Sequence, residues 1–233
     1  MSDQSNAKVF AVADNVPDLA SSPWNAFLVS TDGSTYLATS WHSVQHALRG
    51  RYKGIDFKLW GWKRFRVPGV DLGVILTEGD VASLAAIPLS STVPTGTDVL
   101  TAVDWGGNSL SITRNAEPCE RPPDAPSDFP SEAELKGCVC GETACEASVK
   151  NGDSGSPVFD SNGALFGELP ARHKRCVVMV PIWTGLPLKW THGDAADGAT
   201  FGAFLGLCKS GDERVAPFSS MVPLEDQPSD GKH

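Results

Sequence analysis

Short apolar runs separated by turn-forming residues fill most of this chain, and they constrain its fold more than any other feature. Runs at 8–13, 25–30, 35–40, 55–62 and 72–77 are alternating or continuously apolar, as half-buried or fully buried strands are. Turn signals such as Thr31-Asp32-Gly33 and Pro68-Gly69 divide them. A second set covers 98–103, 110–113, 138–147, 157–159, 164–169 and 176–183, with Asp160-Ser161-Asn162-Gly163 marking a hairpin between two of its members. The 23 Gly and 17 Pro supply the turns that many short strands need.

An all-β fold follows, and 233 residues suit one large β domain or two small ones packed together. The expected division is a first β-barrel over 8–82, a linker over 83–96, a second β-barrel over 97–208 and a mobile tail over 209–233. Residues 197–207 carry enough Ala, Phe and Leu for a closing helix, although three glycines weaken it. The Pro-rich, acidic stretch 117–134 reads as an exposed loop.

A net charge of -9 weighs against nucleic acid or an anionic membrane as the main partner. No stretch is apolar for long enough to span a bilayer, and the polar start Met1-Ser2-Asp3-Gln4-Ser5-Asn6 lacks the pattern of a secretory signal. An intracellular location is therefore expected. In that compartment the six cysteines, at 119, 138, 140, 145, 176 and 208, would be reduced thiols or metal ligands rather than disulfides.

The chemistry centres on Gly152-Asp153-Ser154-Gly155-Ser156-Pro157. A serine hydroxyl needs a base to take its proton and donors for the oxyanion formed on attack at a carbonyl. This segment offers Ser154 as nucleophile, with the NH groups of Gly152 and Ser154 as donors, while Gly155 leaves the hydroxyl uncrowded. The same residues also suit a plain polar turn. His42, at the end of an apolar run, is the candidate base. Asp71, opening the apolar run Leu72-Gly73-Val74-Ile75-Leu76, is the candidate that orients it, with Asp56 as a rival.

In the order His42, Asp71, Ser154, these segments resemble the chymotrypsin-like serine proteases, over about residues 8 to 208. The resemblance implies a double β-barrel with histidine and aspartate on the first barrel and serine on the second. It implies a serine endopeptidase that needs no cofactor and no metal. It places Ser148 at the base of the pocket for the residue before the cut, and Leu169, Pro170 and Ala171 along its wall, with His173 nearby. Ser43 and Lys150 stand where secreted trypsin-like enzymes carry disulfide cysteines, and the start of the chain lacks the Ile/Val-led sequence that activates their zymogens. Asp153 therefore needs a different partner.

The compact gap from His42 to Asp71 looks more like viral polyprotein-processing proteases of this fold, or bacterial Do-like quality-control proteases. The Gly-Asp-Ser-Gly-Ser-Pro form leans to the viral group, implying a polypeptide substrate that includes the protein's own precursor and, as the intracellular compartment, the host cytoplasm. Two features lie outside this reading. Cys138 and Cys140 fall on one face of a strand, so half-buried thiols are preferred to a zinc site with Cys119, Cys145, His173 and Cys176. Arg49, Arg51, Lys53, Lys58, Lys63, Arg64 and Arg66 beside Trp60 and Trp62 could contact RNA, which would suit a protease-fold module that binds RNA or a protein. The acidic chain favours instead a solvated hairpin face with its aromatics turned inward.

Overall fold

The computed structural model describes residues 9–13, 24–31, 33–45, 47–144, 153–188 and 199–218. The first β unit comprises β1 (Val9–Ala13), β2 (Trp24–Thr31), β3 (Ser34–Thr39), β4 (Arg49–Tyr52), β5 (Ile55–Lys58), β6 (Arg64–Arg66), β7 (Gly73–Leu76) and β8 (Ile87–Pro88), with the short helix α1 (Trp41–Val44) after β3. Its strands join in the order β5-β4-β1-β2-β3-β7-β6, and β8 adds to β2 in parallel. The second unit comprises β9 (Val99–Val103), β10 (Ser109–Arg114), β11 (Val139–Glu142), β12 (Ser156–Phe159), β13 (Leu165–His173) and β14 (Cys176–Pro181), with α2 (Glu132–Leu135) before β11 and α3 (Phe201–Ser210) after β14. These strands close a barrel in the order β10-β11-β14-β13-β12-β9. The architecture is the all-β, chymotrypsin-like double barrel that the resemblance implies.

The period-two alternation of strands explains how the units meet. On β2, Ala26 and Leu28 enter the core of the first unit with Phe10, Leu37 and Ile75. Phe27 and Val29 face the other way, into a cluster shared with Phe159, Leu165, Val180 and Ile182 of the second unit. β3 divides likewise, with Leu37 inward and Tyr36 and Ala38 toward the second unit. Strands buried on both faces read as continuous apolar runs, which is how β2 and β3 stand in the sequence.

α3 seals this shared cluster with Phe201, Phe204, Leu205 and Cys208, the spacing of one helical face. Thr200 caps its start by accepting from Ala203 N at 3.2 Å. Gly211, left-handed at φ 71°, ends it, and Asp212 N reaches back to Leu207 O at 3.2 Å. Gly206 faces open space and Gly202 lies close against Thr184, to whose O its N donates at 2.8 Å, so the helix forms despite both glycines.

Four stretches carry more structure than expected. The stretch 83–96, expected as a linker, contributes β8 to the first sheet. The stretch 117–134 holds a structured loop in which Arg121 donates to the carbonyls of Phe129, Pro130 and Pro126 at 2.5, 2.9 and 2.6 Å, and Ser131 with Glu134 forms a capping box. The expected tail begins inside α3, and Phe218 N donates to Arg64 O at 2.8 Å while its ring meets Trp41 edge-on. Residues 219–233 lie outside the described residues. In the basic segment Trp62 packs on the core while Trp60 is exposed. Arg64, expected on a solvated face, is buried with its guanidinium on the carbonyls of Val44 and Leu59 at 2.9 and 3.0 Å.

The cysteines also depart from expectation. Cys119 and Cys140 form a disulfide that closes a 21-residue separation, while Cys138, Cys176 and Cys208 are free thiols. Residues distant in sequence but paired by folding leave no connectivity signal in a chain read alone. Burial, with the charges of Glu168, Glu134 and Asp71, pushes the Cys138 thiol up to about 12, so it stays protonated at neutral pH. Cys145 lies outside the described residues.

Replacing both Cys119 and Cys140 with alanine should lower unfolding free energy by about 3 kcal/mol. Urea titration with and without reductant checks this; equal midpoints for the oxidised wild type and the variant would contradict it. Phe204→Ala should cost about 3–5 kcal/mol by emptying the cluster under α3. A urea midpoint unchanged from wild type would contradict that packing.

Candidate active site

Pairing of β3 with β7 assembles the first half of the site. The register sets Thr39 opposite Gly73, so the chain leaving β3 into α1 lies beside the chain entering β7. His42 leaves the first point and Asp71 the second. His42 Nδ1 lies 2.6 Å from Asp71 Oδ2, and His42 N donates to Asp71 Oδ1 at 3.0 Å. Trp41 N donates to Asp71 O at 3.3 Å. Gly73 permits this closeness, because a Cβ there would collide with Val44 of α1. The imidazole is 43% exposed and the aspartate 17%, so the ring opens to solvent and its partner sits behind it.

The turn before β12 supplies Ser154. Gly155 is left-handed at φ 84°, and a Cβ there would overlap Asn25 O and Thr39 Oγ1. Glycine is thus required for a close approach between the two units, beyond leaving the hydroxyl uncrowded. Asn25, buried on β2, holds the turn from the first unit. Its N donates to Ser154 O at 2.9 Å, its Nδ2 to Ser156 Oγ at 2.9 Å, and its Oδ1 accepts from Trp105 N at 3.0 Å. Thr39 Oγ1 donates to Asn25 O at 2.5 Å. Ser154 Oγ itself donates to Pro170 O at 3.0 Å.

Asp153 has a partner inside the fold. Arg172 on β13 places Nη1 3.6 Å from Asp153 Oδ2, with the arginine side chain only 7% exposed. Glu168, also on β13, is fully buried, and its Oε1 accepts from Ser40 Oγ and, at 3.0 Å, from Gly155 N. Burial pushes its carboxyl well above the usual carboxylate range. The two bonds oppose that shift, and the charge of Asp71 adds to it.

Of the remaining expected residues, Leu169 and Pro170 lie beside the Ser154 turn, whereas Asp56 and His173 are engaged by other partners. Asp56 is exposed and paired with Arg51 at 2.6 Å, which holds its carboxyl below the usual range. Leu169 turns its side chain into the second barrel's core and gives its carbonyl to Gly155 N at 2.9 Å. Pro170 and Ala171 follow it along β13. His173 is engaged by Asp124 at 3.2 Å and packs edge-on to Phe129. Ser148 and Gly152 lie outside the described residues. Among the described residues no group of three or more His, Cys, Asp or Glu converges as metal ligands would.

Asn25, Glu168 and Arg172 were missed by sequence reasoning. Glu168 alone left a trace, as a carboxylate inside an apolar run, Leu165-Phe166-Gly167-Glu168-Leu169.

A family model described as a trypsin-like peptidase domain matches residues 25–167, a span that contains His42, Asp71 and Ser154. No match is found among curated protein sequences. Among solved structures the chain is similar to an inactive form of Rv3671c from Mycobacterium tuberculosis, at 15% identity and a TM-score of 0.54, over 91% of this chain and 90% of that one. It is similar to a human pathogenic astrovirus serine protease, at 14% identity and a TM-score of 0.51, over 76% and 90% of the two chains. It is also similar to the HtrA-type protease AlgW with a tripeptide, at 16% identity and a TM-score of 0.50, over 76% and 56%. At these identities the structural likeness speaks for the fold, and the sequence match speaks for the family. With that match covering more than half of its length, the chain belongs to the trypsin-like peptidase domain family and is a serine endopeptidase.

Proposed function

We propose that this endopeptidase cleaves peptide bonds with Ser154 as nucleophile, His42 as base and then acid, and Asp71 orienting the imidazole. The pair of bonds from His42 to the two oxygens of Asp71 carries this reading. With Nδ1–H donating to Asp71 Oδ2, the lone pair of the ring is at Nε2, the nitrogen left for a serine proton. Ser154 Oγ–H leaves Pro170 O, passes its proton to Nε2 and attacks the substrate carbonyl. The NH groups of Ser154 and Gly152 receive the oxyanion. His42 then returns the proton to the departing amine, and water hydrolyses the acyl-enzyme by the same steps. None of these steps calls for a metal or cofactor.

Arg172 takes the place of an activating amino terminus by holding Asp153, next to the nucleophile. The substrate is a polypeptide. Residues 169–171 would present backbone to it, because Leu169 points its side chain into the core, and Ser148 would close the pocket base.

The natural substrate we propose is a viral precursor that includes this domain. The short gap between His42 and Asp71, the Gly-Asp-Ser-Gly-Ser-Pro segment and the likeness to the astrovirus protease support it. A second reading, a bacterial quality-control protease, is favoured by the Cys119–Cys140 disulfide, because such bonds belong to oxidising compartments outside the cytosol. That bond also weighs against the host cytoplasm as the working location. RNA binding has less support, with Arg64 withdrawn into the fold.

A fluorophosphonate probe should label the folded wild type and not Ser154→Ala; absence of wild-type labelling would overturn the proposal. Asp71→Asn should lower kcat on a cleaved peptide by about 10⁴-fold. Asp56→Asn should leave it unchanged, and the reverse ranking would reassign the orienting residue. Arg172→Met, which removes the guanidinium beside Asp153, should lower kcat/KM by about 10²-fold while circular dichroism stays that of the wild type. Wild-type kcat/KM in that variant would contradict the role given to Arg172.

A further inference from the structure

Glu168 has no part in the steps above, yet its setting demands an explanation. A fully buried carboxyl is costly, and its neighbours Leu165, Phe166 and Leu169 show that β13 accommodates apolar side chains there. Among the described residues, all of its hydrogen bonding converges on one oxygen. Oε1 accepts from Ser40 Oγ of the first unit and from Gly155 N of the second, while Oε2 has no partner among them.

The two donors flank the proposed catalytic groups. Ser40 begins α1, its carbonyl accepting from Ser43 N at 3.0 Å and Val44 N at 2.9 Å, and His42 rides on that turn. Gly155 follows Ser154 directly. A single atom therefore bridges the segment that carries the base and the segment that carries the nucleophile, across the join between the units.

Resting on the triad reading, we infer that Glu168 is a positioning residue that sets the relation of His42 to Ser154 through the Ser40–Glu168–Gly155 bridge. A barrel core could dispense with this carboxyl; the alignment of two groups from separate units could not.

The test compares wild type with Glu168→Gln, Glu168→Leu and Ser40→Ala, using a fluorophosphonate probe and resolving its saturable binding from its maximal labelling rate. Glutamine keeps an oxygen for both donors, so Glu168→Gln should label within about threefold of the wild-type maximal rate. Leucine fills the space without an acceptor, so Glu168→Leu should lose about 10²-fold in that rate, with apparent probe affinity unchanged. Ser40→Ala cuts one end of the bridge and should lose about tenfold, which keeps the test alive if Glu168→Leu does not fold.

Wild-type labelling rates in a folded Glu168→Leu, or in Ser40→Ala, would overturn the inference. So would equal losses in Glu168→Gln and Glu168→Leu, since the glutamine should rescue. A wild type that does not label would bring down the triad reading along with it, whereas a labelled wild type with unaffected variants removes this inference alone.

Discussion

The bond from Asn25 N to Ser154 O joins the first β unit to the second at the turn that carries Ser154, and the rest of the candidate site is arranged around that crossing. Two units held by apolar contact alone would have adhesion without a fixed alignment, because the hydrophobic effect has no direction. The shared cluster of Phe27, Val29, Phe159, Leu165, Phe201 and Phe204 supplies the larger energy, about 1.5–3 kcal/mol for each large side chain fully buried. Each buried hydrogen bond contributes about 0.5–1.5 kcal/mol net, but it specifies distance and angle. Asn25, Ser40, Thr39 and Glu168 thus add little to adhesion and determine how the two halves of the site face each other.

The same division of labour appears around α1. This four-residue helix cannot hold itself, since a single turn is below the length at which helices are stable alone. Asp71 accepts from its first turn, Arg64 takes the carbonyls of Val44 and Leu59, and Val44 lies against Gly73. Burial lowers the pKa of Arg64, but the carbonyls of Val44 and Leu59 accept from its two terminal nitrogens and offset part of the cost of burying the charge. Phe218 bonds to Arg64 O and packs against Trp41, so a segment far along the chain also supports the residue next to His42.

This explains what could be read from the chain and what could not. Most strands and their turns were legible because apolar periodicity is local; β4 and β6, whose short runs are interrupted by arginines, and the two-residue β8 were not. His42, Asp71 and Ser154 stood out as residue types in a recognisable order at strand ends, and the structure brings His42 and Asp71 together. Asn25 looked like any polar residue at a strand start, and Arg172 like one more surface cation; only the pairing of β12 with β13 and the packing of β2 beneath them give these residues their contacts. The partner of Cys119 was hidden for the same reason, and Arg64 was grouped with the solvated cations because sequence neighbours say nothing of which arginine turns inward.

The proposed triad requires the join between the units to deliver Ser154 to His42. A crystal structure of the protein phosphonylated at Ser154 tests it most directly. Ser154 Oγ should be released from Pro170 O, with the phosphonyl oxygen on Ser154 N and His42 Nε2 within hydrogen-bond reach of the adduct while Nδ1 stays on Asp71. An adduct with the imidazole out of reach, or bonded elsewhere than Asp71, would contradict it.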